Sequence, residues 1–380
     1  MTLDAYRSQF DLPPEMSYLN HAAVGVLSRP ARAAIEAFVE ERAGSMPGNY
    51  EACFPVLERA RQRAATLIGA EARNVEFMPN TSAALNVVIQ GYPWQPGDRV
   101  AVPGCEFPAN LLPWLALEAR GVEIDVIPHR EGTFSVADVE AALKPETRVL
   151  AVSWVQFLSG FTTDLAALGA LCRERDILFC VDGIQGLGAL RLDAPALGID
   201  VLATGGHKWL CAMQGGGFVY VADRVLHQLE PMRGWLNGPL DWDDFENAPR
   251  TLHDTAERFR AGTLPTVQIF ALDAALGLHL DLGQDVAEAA ILRHATRLAD
   301  AFDALGLVRY GSRDPANASG IVTIDVEDPE GFEAHLRSRG VEAALRSRKV
   351  RFSPHAHTRE ADLDRAVEAV TEFTSAKVQA

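Results

Sequence analysis

The chain has 380 residues, 48% of them hydrophobic, enough to bury the cores of two or three domains. Its 51 acidic against 35 basic residues leave a formal charge of −16, which repels nucleic acid and anionic membranes and argues against both as partners. No run of about 18 apolar residues occurs, so no membrane-spanning helix is expected.

The opening Met1-Thr2-Leu3-Asp4 carries an acid where a secretion signal places bases. Cys53, Cys105, Cys172, Cys180 and Cys211 are scattered, without CxxC pairs or metal-ligand spacing. A cytoplasmic location is expected. The first clear strand, residues 75–77, runs into Met78-Pro79-Asn80-Thr81-Ser82 and a helix over 81–91. A Ser/Thr N-cap accounts for those hydroxyls. A helix N-terminus also offers free N–H groups to an anion, to which Thr81 and Ser82 would add hydroxyl donors.

Short apolar strands are then predicted at 100–102, 122–127, 149–152, 177–181, 201–203 and 217–221, with helices over 109–120, 136–143 and 165–176 between them. Such alternation predicts an α/β fold, a mostly parallel sheet between helices, with ligands at the carboxyl ends of the strands. Asp182 ends the fully apolar strand 177–181, and Gln185 follows three residues later. The strand over 201–203 gives way to Thr204-Gly205-Gly206-His207-Lys208, and Gly215-Gly216-Gly217 leads into the next strand. Beyond about residue 265 the pattern changes to long helices over 267–282 and 286–305. Strands at 321–326 and 341–344, a helix over 330–338 and a closing helix over 359–373 complete a smaller α+β domain. The boundary is expected between 246 and 265. Residues 17–260 would form the large domain, and 1–16 with 261–380 the N-terminal segment and the small domain.

Each of these features has an ordinary explanation. A lysine is usually solvated, a strand-end carboxylate often caps a turn, and a hydroxyl often caps a helix. Together, on one sheet edge and in this order, an anion cradle, a buried carboxylate and an amine are specific. The chain resembles the class V aminotransferase family of fold-type I pyridoxal-5′-phosphate (PLP) enzymes, in its isopenicillin N epimerase-like and cysteine desulfurase-like branch. The resemblance runs from Tyr18-Leu19-Asn20-His21-Ala22-Ala23 to Val350-Arg351-Phe352-Ser353-Pro354-His355. It implies PLP held as a Schiff base on Lys208, with Asp182 on the ring nitrogen, where a carboxylate keeps the pyridine protonated. Gln185 would meet the ring hydroxyl, Phe107 would stack on the ring, and Thr81, Ser82 and His207 would hold the phosphate. Thr263 would reach the phosphate of a partner subunit, so a homodimer is expected. Arg351 would grip a substrate carboxylate, unless it joins Arg346, Arg348 and Lys349 in a solvated basic cluster. Asn20 and His21, with Tyr18, would line the substrate mouth. His355-Ala356-His357 supplies two imidazoles without a third ligand, so no metal site is expected.

The departures from the branch are as informative. Phe107 replaces the histidine that desulfurases stack on the ring, Gly205 replaces a phosphate-binding serine, and Phe157 an asparagine. Arg260 stands where many relatives have glutamate. The segment Ser347-Arg348-Lys349-Val350 lacks the nucleophilic cysteine of the desulfurases, and no cysteine follows Cys211. A PLP enzyme acting on an amino acid or amine is therefore expected, with transamination first because Lys208 alone serves as acid and base. A C–S (β/γ-elimination) lyase or an epimerase is the alternative, and a non-catalytic PLP sensor the alternative of another class. A persulfide-forming desulfurase is excluded on the missing cysteine.

Overall fold

The computed structural model describes residues 1–378 except 46, 47, 49, 50, 248 and 249, with side chains described to residue 375. Two residues of the expected boundary stretch, 248 and 249, thus lie outside the described residues. Strand β1 is Ser17–Tyr18. It is followed by β2 (Val75–Met78), β3 (Arg99–Pro103), β4 (Glu123–Ile127), β5 (Thr147–Ser153), β6 (Leu178–Asp182), β7 (Val201–Gly205) and β8 (Gly217–Val221). Among the described residues, β2 to β8 form a seven-stranded sheet in the order β2-β8-β7-β6-β5-β3-β4. The neighbours from β7 to β4 are parallel, whereas β8 is antiparallel to both β7 and β2. Two inversions restore direction, so β2 ends on the same sheet edge as β3, β5, β6 and β7. That edge carries the site.

Alternation along the strands sends side chains into two cores. Leu150, Val152, Phe179, Val181, Leu202 and Phe218 face one helical layer, while Val149, Ala151, Cys180, Val201, Ala203 and Val219 face the other. Each large apolar side chain so buried contributes about 1.5–3 kcal/mol. The helix Thr266–Leu282 is buried nearly all round and packs on the helices Arg29–Ala43 and Phe54–Leu67. Its buried Asp273 is met by Arg59 at 2.6 Å and Arg63 at 2.7 Å, so the carboxylate is not left uncompensated.

A third core belongs to the C-terminal α+β part. There β9 (Val308–Arg309), β10 (Val322–Asp325), β12 (Ala344–Arg346) and β13 (Lys349–Phe352) form a four-stranded sheet, and β11 (Val341–Glu342) pairs in parallel with β1.

Two expected elements differ. The single helix over 109–120 is instead three short turns, Pro108–Asn110, Leu112–Leu115 and Ala116–Arg120. Pro108 and Pro113 supply no N–H to an α-ladder, and Gly121, at φ 79°, ends the segment. The single strand over 341–344 is β11 and β12, which pair with different partners.

Candidate active site

The turn after β7 is shaped by close backbone approaches. The Gly25 N–H donates to the His207 carbonyl at 2.7 Å, and the Gly206 N–H to that of Gly216 at 2.8 Å. A Cβ on Gly25 would lie 2.0 Å from the Lys208 carbonyl oxygen, so only glycine admits this crossing. The turn aims Lys208 into a cavity of about 350 Å³ at the sheet edge. Thr81, Ser82, Phe107, Asp182, Gln185, His207 and Arg351 line the same cavity. Residues from five separate segments thus converge there.

Burial lowers the Lys208 ammonium to about 8; Asp182 opposes the shift, and the positive charges of Arg351 and Arg346 add to it. Burial raises Asp182 to about 6, against the Ile184 N–H it accepts at 3.0 Å and the charge of Lys208. His207 is lowered by burial and then by Lys208. Gln185 is already engaged, donating to the Ala22 carbonyl at 3.0 Å and accepting from the Trp209 indole at 2.9 Å. Its side-chain amide keeps one N–H. The Phe107 ring lies 5.6 Å from the Lys208 amine and meets Phe157 edge-on at 5.2 Å.

At the helix Thr81–Gly91 the cap is Asn80, whose side chain accepts the Ala83 N–H at 2.9 Å. The expected Ser/Thr cap is thereby corrected. Thr81 is left with a buried hydroxyl that has no partner among the described residues. Arg351, on the central register of β13, is 2% exposed. It donates to the Phe157 carbonyl, its Nε has no partner, and among the described residues it makes no ion pair. It therefore does not sit in a solvated cluster. Burial and Arg346 lower it to about 9, which still leaves the guanidinium charged at neutral pH.

Four expected residues are not among those lining this cavity. Ala22, Ala23 and Val24 line it, whereas Asn20 and His21 do not. His21 is fully buried, with ring nitrogens 3.2 Å from the Ser353 carbonyl and 2.9 Å from His357, and burial lowers it to about 3. The Tyr18 hydroxyl is likewise committed, donating to the Val24 carbonyl at 2.7 Å. Thr263 lines a separate cavity of about 570 Å³ with Met78, Asn86 and Met232.

Sequence reasoning missed Glu106. This buried carboxyl accepts from the Ser153 N–H and hydroxyl, Gln156 and Asn110, and holds the segment bearing Phe107 against the end of β5. Burial raises it to about 7. One acid in a turn-rich stretch gives no signal of burial. Arg260, which stands where many relatives have glutamate, pairs with Glu76 at 2.8 Å and Glu257 at 2.7 Å.

The fit of a flat, phosphorylated, cationic-ring cofactor can be tested on these groups. The cavity holds a buried carboxylate with an open oxygen, an orphaned hydroxyl at a helix N-terminus, an aromatic face and a lysine of lowered pKa. Each matches a different part of PLP.

A family model described as "Aminotransferase class-V" matches residues 39–347. A probable cysteine desulfurase of Methanothermobacter thermautotrophicus is 30% identical over 340 residues, covering 86% of this chain and 82% of the relative. An uncharacterised aminotransferase of Bacillus subtilis, YcbU, is 25% identical and covers 98% of each chain. Among solved structures, a cysteine desulfurase from Thermococcus onnurineus superposes with a TM-score of 0.88 at 22% identity, covering 99% of each chain. The cystine C–S lyase C-DES, in complex with its product cysteine persulfide, superposes with a TM-score of 0.88 at 23% identity, covering 94% of this chain and 98% of C-DES.

These relatives overturn the exclusion of a persulfide-forming cysteine desulfurase and the ranking of transamination first. The cofactor's electron withdrawal prepares the carbon–sulfur bond for cleavage, and the lack of a cysteine at residues 347–350 does not preclude another thiol from taking the sulfur.

Proposed function

The chain belongs to the class-V aminotransferase family of PLP-dependent enzymes, and from that we propose that it removes sulfur from an L-cysteine-class amino acid. The observation that carries this reading is its 30% identity, across 86% of its length, to a protein named a probable cysteine desulfurase. In the reaction proposed, the carbon–sulfur bond breaks, a thiol takes the sulfur as a persulfide, and the carbon skeleton gains a proton to leave as alanine.

When bound, PLP supplies an electron sink for the charge freed at the substrate's Cα. Asp182 would hold the ring nitrogen and Gln185 the ring hydroxyl. Thr81, Ser82 and His207 would hold the phosphate, with Phe107 over the ring. Lys208 would hold the cofactor and, once displaced by the substrate amine, carry protons on Nζ; its lowered pKa lets it release and regain them near neutrality. Arg351 would take the substrate carboxylate, because its buried guanidinium has a free Nε and no ion-pair partner among the described residues. The enclosing walls from Ala22 to Val24 and at Phe157 would keep water from the reacting bonds.

In the same reading residues 17–260 form the large domain, with 1–16 and 261–380 the N-terminal segment and the small domain. Two chains pair so that Thr263 serves the neighbour's phosphate. Cys105, Cys172, Cys180 and Cys211 are free thiols, as a reducing cytoplasm allows. No helix among the described residues is long and apolar enough to cross a membrane.

The test is incubation of the PLP-loaded protein with L-cysteine and a thiol acceptor, quantifying alanine, pyruvate, sulfide and persulfide. Alanine formed in step with persulfide or sulfide is expected. Pyruvate with sulfide would point to β-elimination, and sulfur retained in a keto-acid product would sink the proposal.

A further inference from the structure

Beneath the Lys208 turn, outside the cofactor cavity, His21, Cys211, His355 and His357 converge. Each offers a ring nitrogen or sulfur, and these four atoms all lie within 4.8 Å of one another. The residues are 0%, 2%, 0% and 5% exposed. The sequence supplies only two of these ligands with recognisable spacing, His355 and His357. The fold adds His21 from the segment after β1 and Cys211 from the turn that carries Lys208.

We infer that this cluster is a closed, structural zinc site of the three-histidine, one-cysteine class. Zinc bonds of about 2.0–2.1 Å to nitrogen and 2.3 Å to sulfur set tetrahedral edges of about 3.3 Å between nitrogens and about 3.6 Å from nitrogen to sulfur. His21 Nε2 lies 2.9 Å from His357 Nε2, within about half an ångström of such an edge. The four atoms, all within 4.8 Å of one another, would draw in to those edges on binding.

A second observation points to a ligand. His355 Nδ1 is buried and has no hydrogen-bond partner among the described residues, whereas its Nε2 lies 2.9 Å from the Trp209 carbonyl. With that nitrogen donating to the carbonyl, the orphan is the lone-pair nitrogen, as metal-binding imidazoles are arranged. His21 is oriented in the same way, with Nδ1 3.2 Å from the Ser353 carbonyl and Nε2 turned into the cluster. Phe10 stacks on His357 at 4.1 Å and closes the cluster from the N-terminal side. No coordination position faces water, so the site would be structural.

Its place in the fold gives it a task. Cys211 has φ 55°, in the left-handed region, and its N–H donates to the Lys208 carbonyl at 3.0 Å. His355 follows closely on the strand bearing Arg351. A zinc ion here would fasten the N-terminal segment, the lysine turn and the end of β13 to one another.

The experiment uses PLP-loaded protein purified without a polyhistidine tag, subjected to elemental analysis and zinc-edge X-ray absorption. Expected is one zinc per chain, retained through dialysis, with three nitrogen scatterers and one sulfur. In Cys211→Ser and His357→Gln the zinc content should fall to a small fraction of that value. Protein that holds no zinc and takes up none when dialysed against zinc chloride would overturn the inference. So would a zinc shell without sulfur, a reading that needs no folded variant, or full zinc content in the Cys211→Ser, His357→Gln double variant.

Discussion

Lys208 lies between opposing influences. Burial and two arginines push its ammonium down, Asp182 pulls it up, and the balance falls at about 8. Only the neutral amine attacks the aldehyde of PLP, so the rate at which cofactor-free protein takes up PLP should rise with pH and level off just above that value. A solvent-exposed lysine would keep gaining rate to beyond about pH 10. Because Asp182 favours the charged form, Asp182→Asn should move the midpoint to lower pH; stopped-flow absorbance between pH 6 and 10 measures both. A profile still climbing at the top of that range would contradict the placement of Lys208. Arg351 makes a separate prediction. Its guanidinium is buried without an ion-pair partner among the described residues, so a substrate carboxylate would complete a charge-assisted pair. Removing one member of such a pair costs about 2–5 kcal/mol, roughly 30-fold or more in KM. Arg351→Leu should therefore raise KM for carboxylate substrates while leaving cofactor absorbance intact. An unchanged KM would free Arg351 from that role.

The hairpin joining β12 to β13 places Ser347 at φ 47° and Arg348 at φ 59°, both left-handed, as a two-residue turn with the twist of the flanking strands requires. Asn-Gly suits that turn better than Ser-Arg, so Ser347→Asn with Arg348→Gly should stabilise the protein by about 1 kcal/mol. The exposed Arg348–Glu330 contact at 3.5 Å that this removes is worth little. A urea midpoint that falls instead of rising would show that the turn is held by something other than its backbone. This hairpin also shows what a linear pattern conveys. Strands such as 201–203 and 217–221 were legible because uninterrupted apolar runs need no knowledge of the partner, and Thr81–Gly91 because a polar cap precedes an apolar period. The helices Arg29–Ala43 and Phe54–Leu67 carry no such signal: they are rich in Arg, Glu and Ala, and the first buries only Ala31 fully. Over 109–120 an apolar period persists although Pro113, with Pro108 just before the range, breaks the ladder. The cavity's lysine, carboxylate and helix cap follow from strand ends, which sequence marks well. The burial of His21, the engagement of Gln185 and the work of Glu106 depend on which segments cross in space, and no local spacing encodes that.

The two cavities bear on how chains associate. The helix N-terminus at Asn80-Thr81-Ser82 borders the cavity of Lys208, while Met78, Pro79, Ala83 and Asn86 border the one lined by Thr263. Thr263 lines this second cavity and is not among the residues lining that of Lys208. Around it Met232 is 78% exposed and Trp235 48%, apolar surface that a second copy would bury. A two-fold pairing presents the same patch from both chains, and it would place the Thr263 of each beside the phosphate cradle of the other. Sedimentation should therefore give a dimer at working concentrations. Complementation tests the shared site more sharply. Lys208→Ala chains should be inactive, because the cofactor has no amine to join. Thr263→Ala chains should bind PLP more weakly and lose activity at limiting cofactor. In a mixed dimer, one site combines the intact Lys208 of one chain with the intact Thr263 of the other, while the second site collects both lesions. Activity at limiting PLP should thus recover on mixing, towards half the wild-type value per dimer. If the active species sediments as a monomer, or if mixing recovers nothing while heterodimers demonstrably form, Thr263 acts within its own chain or not at all.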